Sequence, residues 1–193
     1  MRMSLPVLGI VLAASLAAPR ARAEQHAIDT RKSVLTVHVS SAGVFGAFGH
    51  DHDIAAPIAS GRAEISARPS IELRVDARAL RVAGEKESEK DRPKIQATML
   101  GPEVLDSERH PEIVFRSTTV EPSGSGRWRV QGNLTLHGQT RPVSVEVSER
   151  GGHYVGSARL RQSEFGIKPV KVAGGAVKVK DEVRIQFDVQ LAR

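Results

Sequence analysis

The sequence predicts a mainly β protein, a curled sheet or barrel of about eight strands with one helical insertion. Three observations carry this. Val183, Ile185, Phe187, Val189 and Leu191 alternate with Arg184, Gln186, Asp188 and Gln190. Val143, Val145 and Val147 repeat the pattern against Ser144, Glu146 and Ser148, as do Trp128, Val130, Leu134 and Leu136 against Arg129, Gln131, Asn133 and Thr135. A period of two puts successive side chains on opposite faces, so each strand has one dry side. Several such strands in series, separated by Gly- and Pro-containing turns, imply a sheet that curls round an apolar inside.

Taken in order, Arg2 followed by the apolar run Leu5 to Ala18 and by Ala21-Arg22-Ala23 reads as a secretory leader cleaved after Ala23. The run is too short to span a bilayer. One domain is expected over residues 24–193, in the periplasm or outside the cell. Val34 to Val39 forms the first strand, Gly61 to Ser66 the second, and Ile71, Leu73 and Val75 mark the third. Glu85 to Leu105 changes character. Ile95, Met99 and Leu100 fall at helical spacing, Pro93 suits a first turn and Gly101-Pro102 a stop, which predicts a helix over 93–100. Strands resume at Glu112 to Glu121, Arg127 to His137, Arg141 to Glu149, Tyr154 to Arg161 and Asp181 to Ala192, with tight turns at Gly138-Gln139 and Gly151-Gly152.

Composition narrows the chemistry. There is no cysteine, which removes disulfides, thiol catalysis and Cys-ligated metals. The formal charge of +6 falls to about +3 once the leader's three arginines are gone. The basic residues are scattered and aromatics are few, so nucleic acid is not an expected partner, and only weak attraction to an anionic membrane surface is.

Three ordered segments resemble the YceI-like family: Arg109-His-Pro-Glu-Ile-Val-Phe-Arg-Ser117, Val130-Gln-Gly-Asn-Leu-Thr-Leu-His-Gly-Gln-Thr-Arg-Pro-Val143, and Ser163-Glu-Phe-Gly-Ile167 followed by Val179-Lys-Asp-Glu-Val183. The resemblance implies an eight-stranded antiparallel barrel of lipocalin-like shape, its helix lying between the third and fourth strands and closing one end. It also implies a carrier, not an enzyme, that holds a polyisoprenoid or similar long apolar molecule in a tunnel. The expected wall is Leu73, Val75, Phe115, Leu134, Leu136, Val145, Phe165, Ile185 and Phe187. An isoprenoid lipid or quinone is the expected occupant, each buried CH₂ contributing roughly 0.8 kcal/mol. Arg92, Lys94, Lys168 and Lys171 either border its head group or form a solvated basic surface. Phe165 either packs over the tunnel mouth or staples a loop to the core.

The chain departs from the family pattern at Phe48-Gly-His-Asp-His-Asp-Ile54 and at Lys90-Asp-Arg-Pro-Lys-Ile95, which marks a divergent branch. In an extended segment His50 and His52 share a side, as do Asp51 and Asp53. His50 and His52 could therefore grip one ion if a third ligand came from elsewhere, His38, His110 and His137 being the candidates, and Asp53 stands beside them in the candidate metal set. The plainer reading is a hydrogen-bonded loop at the barrel rim. His50 with Asp51 also has the form of a general base and its orienting carboxylate, but no nucleophile accompanies them. Two alternatives to the carrier stand beside it: a metal-dependent protein centred on this loop, and a cell-envelope interaction module with a filled barrel.

Overall fold

A computed structural model of the chain describes residues 24–42, 51–84, 89–172 and 177–192. Twelve strands account for most of them: β1 (Glu24–Ala27), β2 (Val34–Ala42), β3 (His52–Ala55), β4 (Ile58–Ile65), β5 (Ser70–Asp76), β6 (Arg81–Ala83), β7 (Glu112–Pro122), β8 (Arg127–Leu136), β9 (Gln139–Arg150), β10 (His153–Arg161), β11 (Lys171–Val172) and β12 (Val177–Gln190). One helix, α1 (Arg92–Leu100), follows β6. All twelve strands belong to one sheet in the order β1-β4-β5-β7-β8-β9-β10-β12-β2-β3-β6, with β11 paired to β12. Every pairing is antiparallel.

The sheet curls into a half-barrel. Its seam is drawn together where the chain leaves β1: Ile28 bridges Leu191, its amide donates to the Gly61 carbonyl at 2.9 Å, and Asp29 N–H donates to the Gln190 carbonyl at 2.8 Å. Two-residue turns with left-handed backbone join β8 to β9 (His137 and Gly138, φ 51° and 70°) and β9 to β10 (Gly151 and Gly152, φ 61° and 84°). Such turns match the right-handed twist of the strands they connect.

Three expectations are corrected here. The sheet has twelve strands among the described residues, not eight, and it is part-closed. β1, β3, β6 and β11 are two to four residues long, too short to show a period of two. The helix begins one residue before the expected 93, and it follows the sixth strand instead of the third because β1, β3 and β6 precede it. The β8–β9 turn sits at His137–Gly138, one residue before the expected place.

Register carries the alternation into a core. Val183, Ile185, Phe187 and Val189 of β12 stand opposite Leu160, Ala158, Gly156 and Tyr154 of β10. On the other side Ile185 and Phe187 stand opposite Val37 and Leu35 of β2. The outer face is charged. Glu72 of β5 meets Arg62 at 2.6 Å, Arg74 at 2.8 Å and Arg116 at 3.5 Å, tying β4, β5 and β7. Desolvation pushes its carboxyl up, but the Arg74 hydrogen bond and the three guanidinium charges outweigh that and hold it below its ordinary range.

Candidate functional site

The inward faces do not meet. They enclose a hollow of about 400 Å³, within the range of about 300–1,000 Å³ typical of small-molecule sites. Eight of the nine expected wall residues line it: Leu73 and Val75 from β5, Phe115 from β7, Leu134 and Leu136 from β8, Val145 from β9, and Ile185 and Phe187 from β12. The wall's side chains are apolar except for Glu64, Ser70, Gln162 and the polar tips of Trp128 and Tyr154.

Two glycines help to keep the space open. A Cβ on Gly156 would lie 2.5 Å from Cζ of Phe187 and would overlap the Glu146 carbonyl oxygen. A Cβ on Gly132 would lie 2.5 Å from Cε2 of Phe115 and 2.6 Å from the Arg116 carbonyl oxygen. Each phenyl ring therefore packs closely against a glycine of the adjoining strand. A glycine inside a strand often marks such a close approach.

The two ends differ. Met99 of α1, with Val104, Leu105 and Ile167, lines one end. The wall also includes Ile65, Pro69, Ile71, Val120 and Trp128, around the β4–β5 and β7–β8 turns. There it reaches solvent: Ile65 is 51% exposed, Pro69 is exposed and Trp128 is half-buried.

Phe165 is placed elsewhere. It is 0% exposed, belongs to the packed cluster with Leu134, Leu160, Ile167 and Val183, and does not line the hollow. It ends the 3-10 turn Gln162–Phe165. Ser163 fixes that turn to β12, its amide donating to Asp181 Oδ1 at 2.8 Å and its hydroxyl to Oδ2 at 2.6 Å. These two bonds hold the Asp181 carboxyl below its ordinary range, the hydroxyl bond contributing most. Of the basic candidates, Arg92 is half-buried and donates to the Gly84 carbonyl at 2.9 Å, while Lys94, Lys168 and Lys171 are exposed; none lines the hollow.

Of the histidine loop, His50 lies outside the described residues. His52 and Asp53 are consecutive on β3 and so project to opposite faces. His52 stands opposite Val39, a wall residue. Asp53 is on the outside, where its Oδ1 is 2.6 Å from Nδ1 of His38, whose Nε2 is 2.6 Å from Oε1 of Gln186. This outer ladder crosses β3, β2 and β12. His110 and His137 meet each other edge to face, ring centroids 4.9 Å apart.

A curled antiparallel sheet around an apolar hollow is the architecture of small-molecule binding barrels. The model of the YceI-like domain matches residues 26–191, and the chain belongs to that family. It is 34% identical over 93 residues to a UPF0312 protein of Vibrio parahaemolyticus, covering 42% of this chain and 47% of the relative. A UPF0312 protein of Pseudomonas savastanoi is 34% identical over 74 residues, 33% of this chain and 38% of the relative. The chain thus spans less than half the length of these curated relatives. Among solved structures, BcnA of Burkholderia cenocepacia superposes with a TM-score of 0.64 at 20% identity, over 86% of this chain and 99% of that one. A polyisoprenoid binding domain from Saccharophagus degradans gives 0.55 at 11% identity, over 85% and 95%. These likenesses bear on the fold.

Proposed function

We propose that this protein is an exported carrier or sequestering protein that holds a polyisoprenoid, or a similarly long and slim apolar chain, inside the half-barrel. The observation that carries the reading is the hollow of about 400 Å³ with its almost wholly apolar wall. A chain burying ten CH₂ groups there gains roughly 8 kcal/mol gross, before the cost of ordering it. No polar recognition is needed along such a chain. The head group would remain at the Ile65–Trp128 end, where the wall reaches solvent. Support also comes from the Saccharophagus degradans neighbour, described as a polyisoprenoid binding domain. Export rests on the leader pattern of residues 1–23.

The test is a titration with polyprenols of increasing length. Affinity is expected to rise with each added isoprene unit until the hollow is full, then level off. Equal affinity for short and long chains would overturn the reading. A protein that binds none of them would favour the envelope interaction module.

A further inference from the structure

A second cluster lies just outside the cavity wall. Asp106, His110 and His137 are all half-buried, and each offers one ligand atom within 4.8 Å of the other two. Asp106 and His110 come from the loop after α1, and His137 from the β8–β9 turn. The loop is firmly built. Asp106 N–H donates to the Gly101 carbonyl at 2.8 Å, and His110 N–H to the Asp106 carbonyl at 2.8 Å. Ser107, 2% exposed, donates through both amide and hydroxyl to the Leu100 carbonyl at 3.0 Å.

Three further details converge on the cluster. Asp106 (φ 44°) and His137 (φ 51°) are the two non-glycine residues with left-handed backbone among those described, and both belong to it. Such conformations gather at functional sites. Nδ1 of His137 is 3.1 Å from the Phe165 carbonyl oxygen. A carbonyl only accepts, so that bond assigns the proton to Nδ1 and leaves the lone pair on Nε2, as in histidines oriented to bind metal. The His110 ring lies on Gly138, where a Cβ would come within 2.8 Å of its Cε1. A larger residue there would displace it.

We propose that Asp106, His110 and His137 bind a divalent transition-metal ion of the zinc class, with a water in the remaining position. Two imidazoles and a carboxylate are a zinc donor set. Tetrahedral ligation with bonds of about 2.1 Å sets donor atoms about 3.4 Å apart, so the cluster must tighten modestly by side-chain rotation. Asp106 is already held by Arg109 at 3.3 Å, but that arginine is 79% exposed and able to yield. The bound ion joins the loop after α1 to the β8–β9 turn and, through the Phe165 carbonyl, to the turn that ends at Phe165. Leu105 and Leu136, each adjacent to a ligand, line the hollow. Metal binding therefore stiffens this end of the cavity wall.

The experiment is calorimetric titration of chelator-stripped protein with zinc chloride, with cobalt(II) absorption as a spectroscopic check. The expected result is one ion per chain, a visible cobalt spectrum of nitrogen and oxygen ligation, and a melting midpoint several degrees higher at saturating zinc. H110Q and D106N should bind at least tenfold more weakly while melting at the wild-type temperature without metal. H137N, chosen because asparagine tolerates the left-handed turn, should also bind at least tenfold more weakly, and it should melt somewhat lower because it loses the bond to the Phe165 carbonyl. H52A should bind as wild type. Absence of zinc binding in the wild type, wild-type affinity in H110Q and D106N, or loss of binding in H52A would each overturn the proposal.

Discussion

Replacing Ala158 with phenylalanine fills the hollow from within. Ala158 is 9% exposed, lines the cavity, and stands opposite Ile185. It is the small side chain between Gly156 and Leu160 on the inner face of β10, so the new ring points into open space. A phenyl group there displaces a length of ligand equal to about four CH₂ groups. At roughly 0.8 kcal/mol each, the loss is about 3 kcal/mol, or about 200-fold in Kd. The fold itself should change little, because overpacking costs about 1–3 kcal/mol only where a side chain lacks room. The assay pairs a fluorescence titration with a long-chain polyene and a thermal melt. A variant that binds the probe as the wild type does would show that the ligand does not occupy the hollow. So would one that loses several kcal/mol of stability, since that is the response of a filled core.

Other perturbations separate wall from core. Gly156→Ala should cost about 1–3 kcal/mol, because the backbone oxygen of Glu146 cannot yield as a flexible side chain would; a midpoint about 2–4 °C lower per kcal/mol is expected. Phe165→Ala should cost about 3–5 kcal/mol in urea unfolding, and Phe187→Ala distinctly less, since Phe165 is wholly packed while Phe187 borders a void. On the acid side, Asp76 and Asp181 are both held below their ordinary value of 3.8, Asp76 mainly by the Arg78 side chain and Asp181 mainly by the Ser163 hydroxyl. A depressed carboxyl stabilises the fold fully above its unfolded value, and the contribution fades as pH falls through the folded one. Urea unfolding between about pH 2 and 6 should therefore show Ser163→Ala with a shallower loss below pH 4 than the wild type.

The parts of this fold that were legible are those where a simple period acts alone. β8, β9 and β12 are long and wet on one side, so alternation assigned their inward residues directly. The same alternation separates His52 from Asp53, which is why the structure sends them to opposite faces. β1, β3 and β6 were not legible, because four residues or fewer carry no period and their pairing comes from chain closure around Ile28 and from the packing of β2. Phe165 looked like wall because it is large and apolar. It sits in a 3-10 turn, where no alternation says which way a side chain faces, and burial by Leu160 and Val183 decides. The hollow itself depends on where Phe115 and Phe187 lay their rings, a property of pairs such as Gly156 with Phe187 that only register reveals. His110 and His137 were visible as ligand types, yet their meeting with Asp106 needs the helix-following loop to fold back onto the β8–β9 turn.

The hollow is proposed to hold a long apolar chain. Organic extraction of the protein purified under native conditions, followed by mass spectrometry, tests it most directly. One predominant long-chain isoprenoid or comparable lipid is expected, near one per protein, and much less of it from Ala158→Phe. Extracts free of any such molecule, from a protein that also fails to take one up when it is offered, would contradict it.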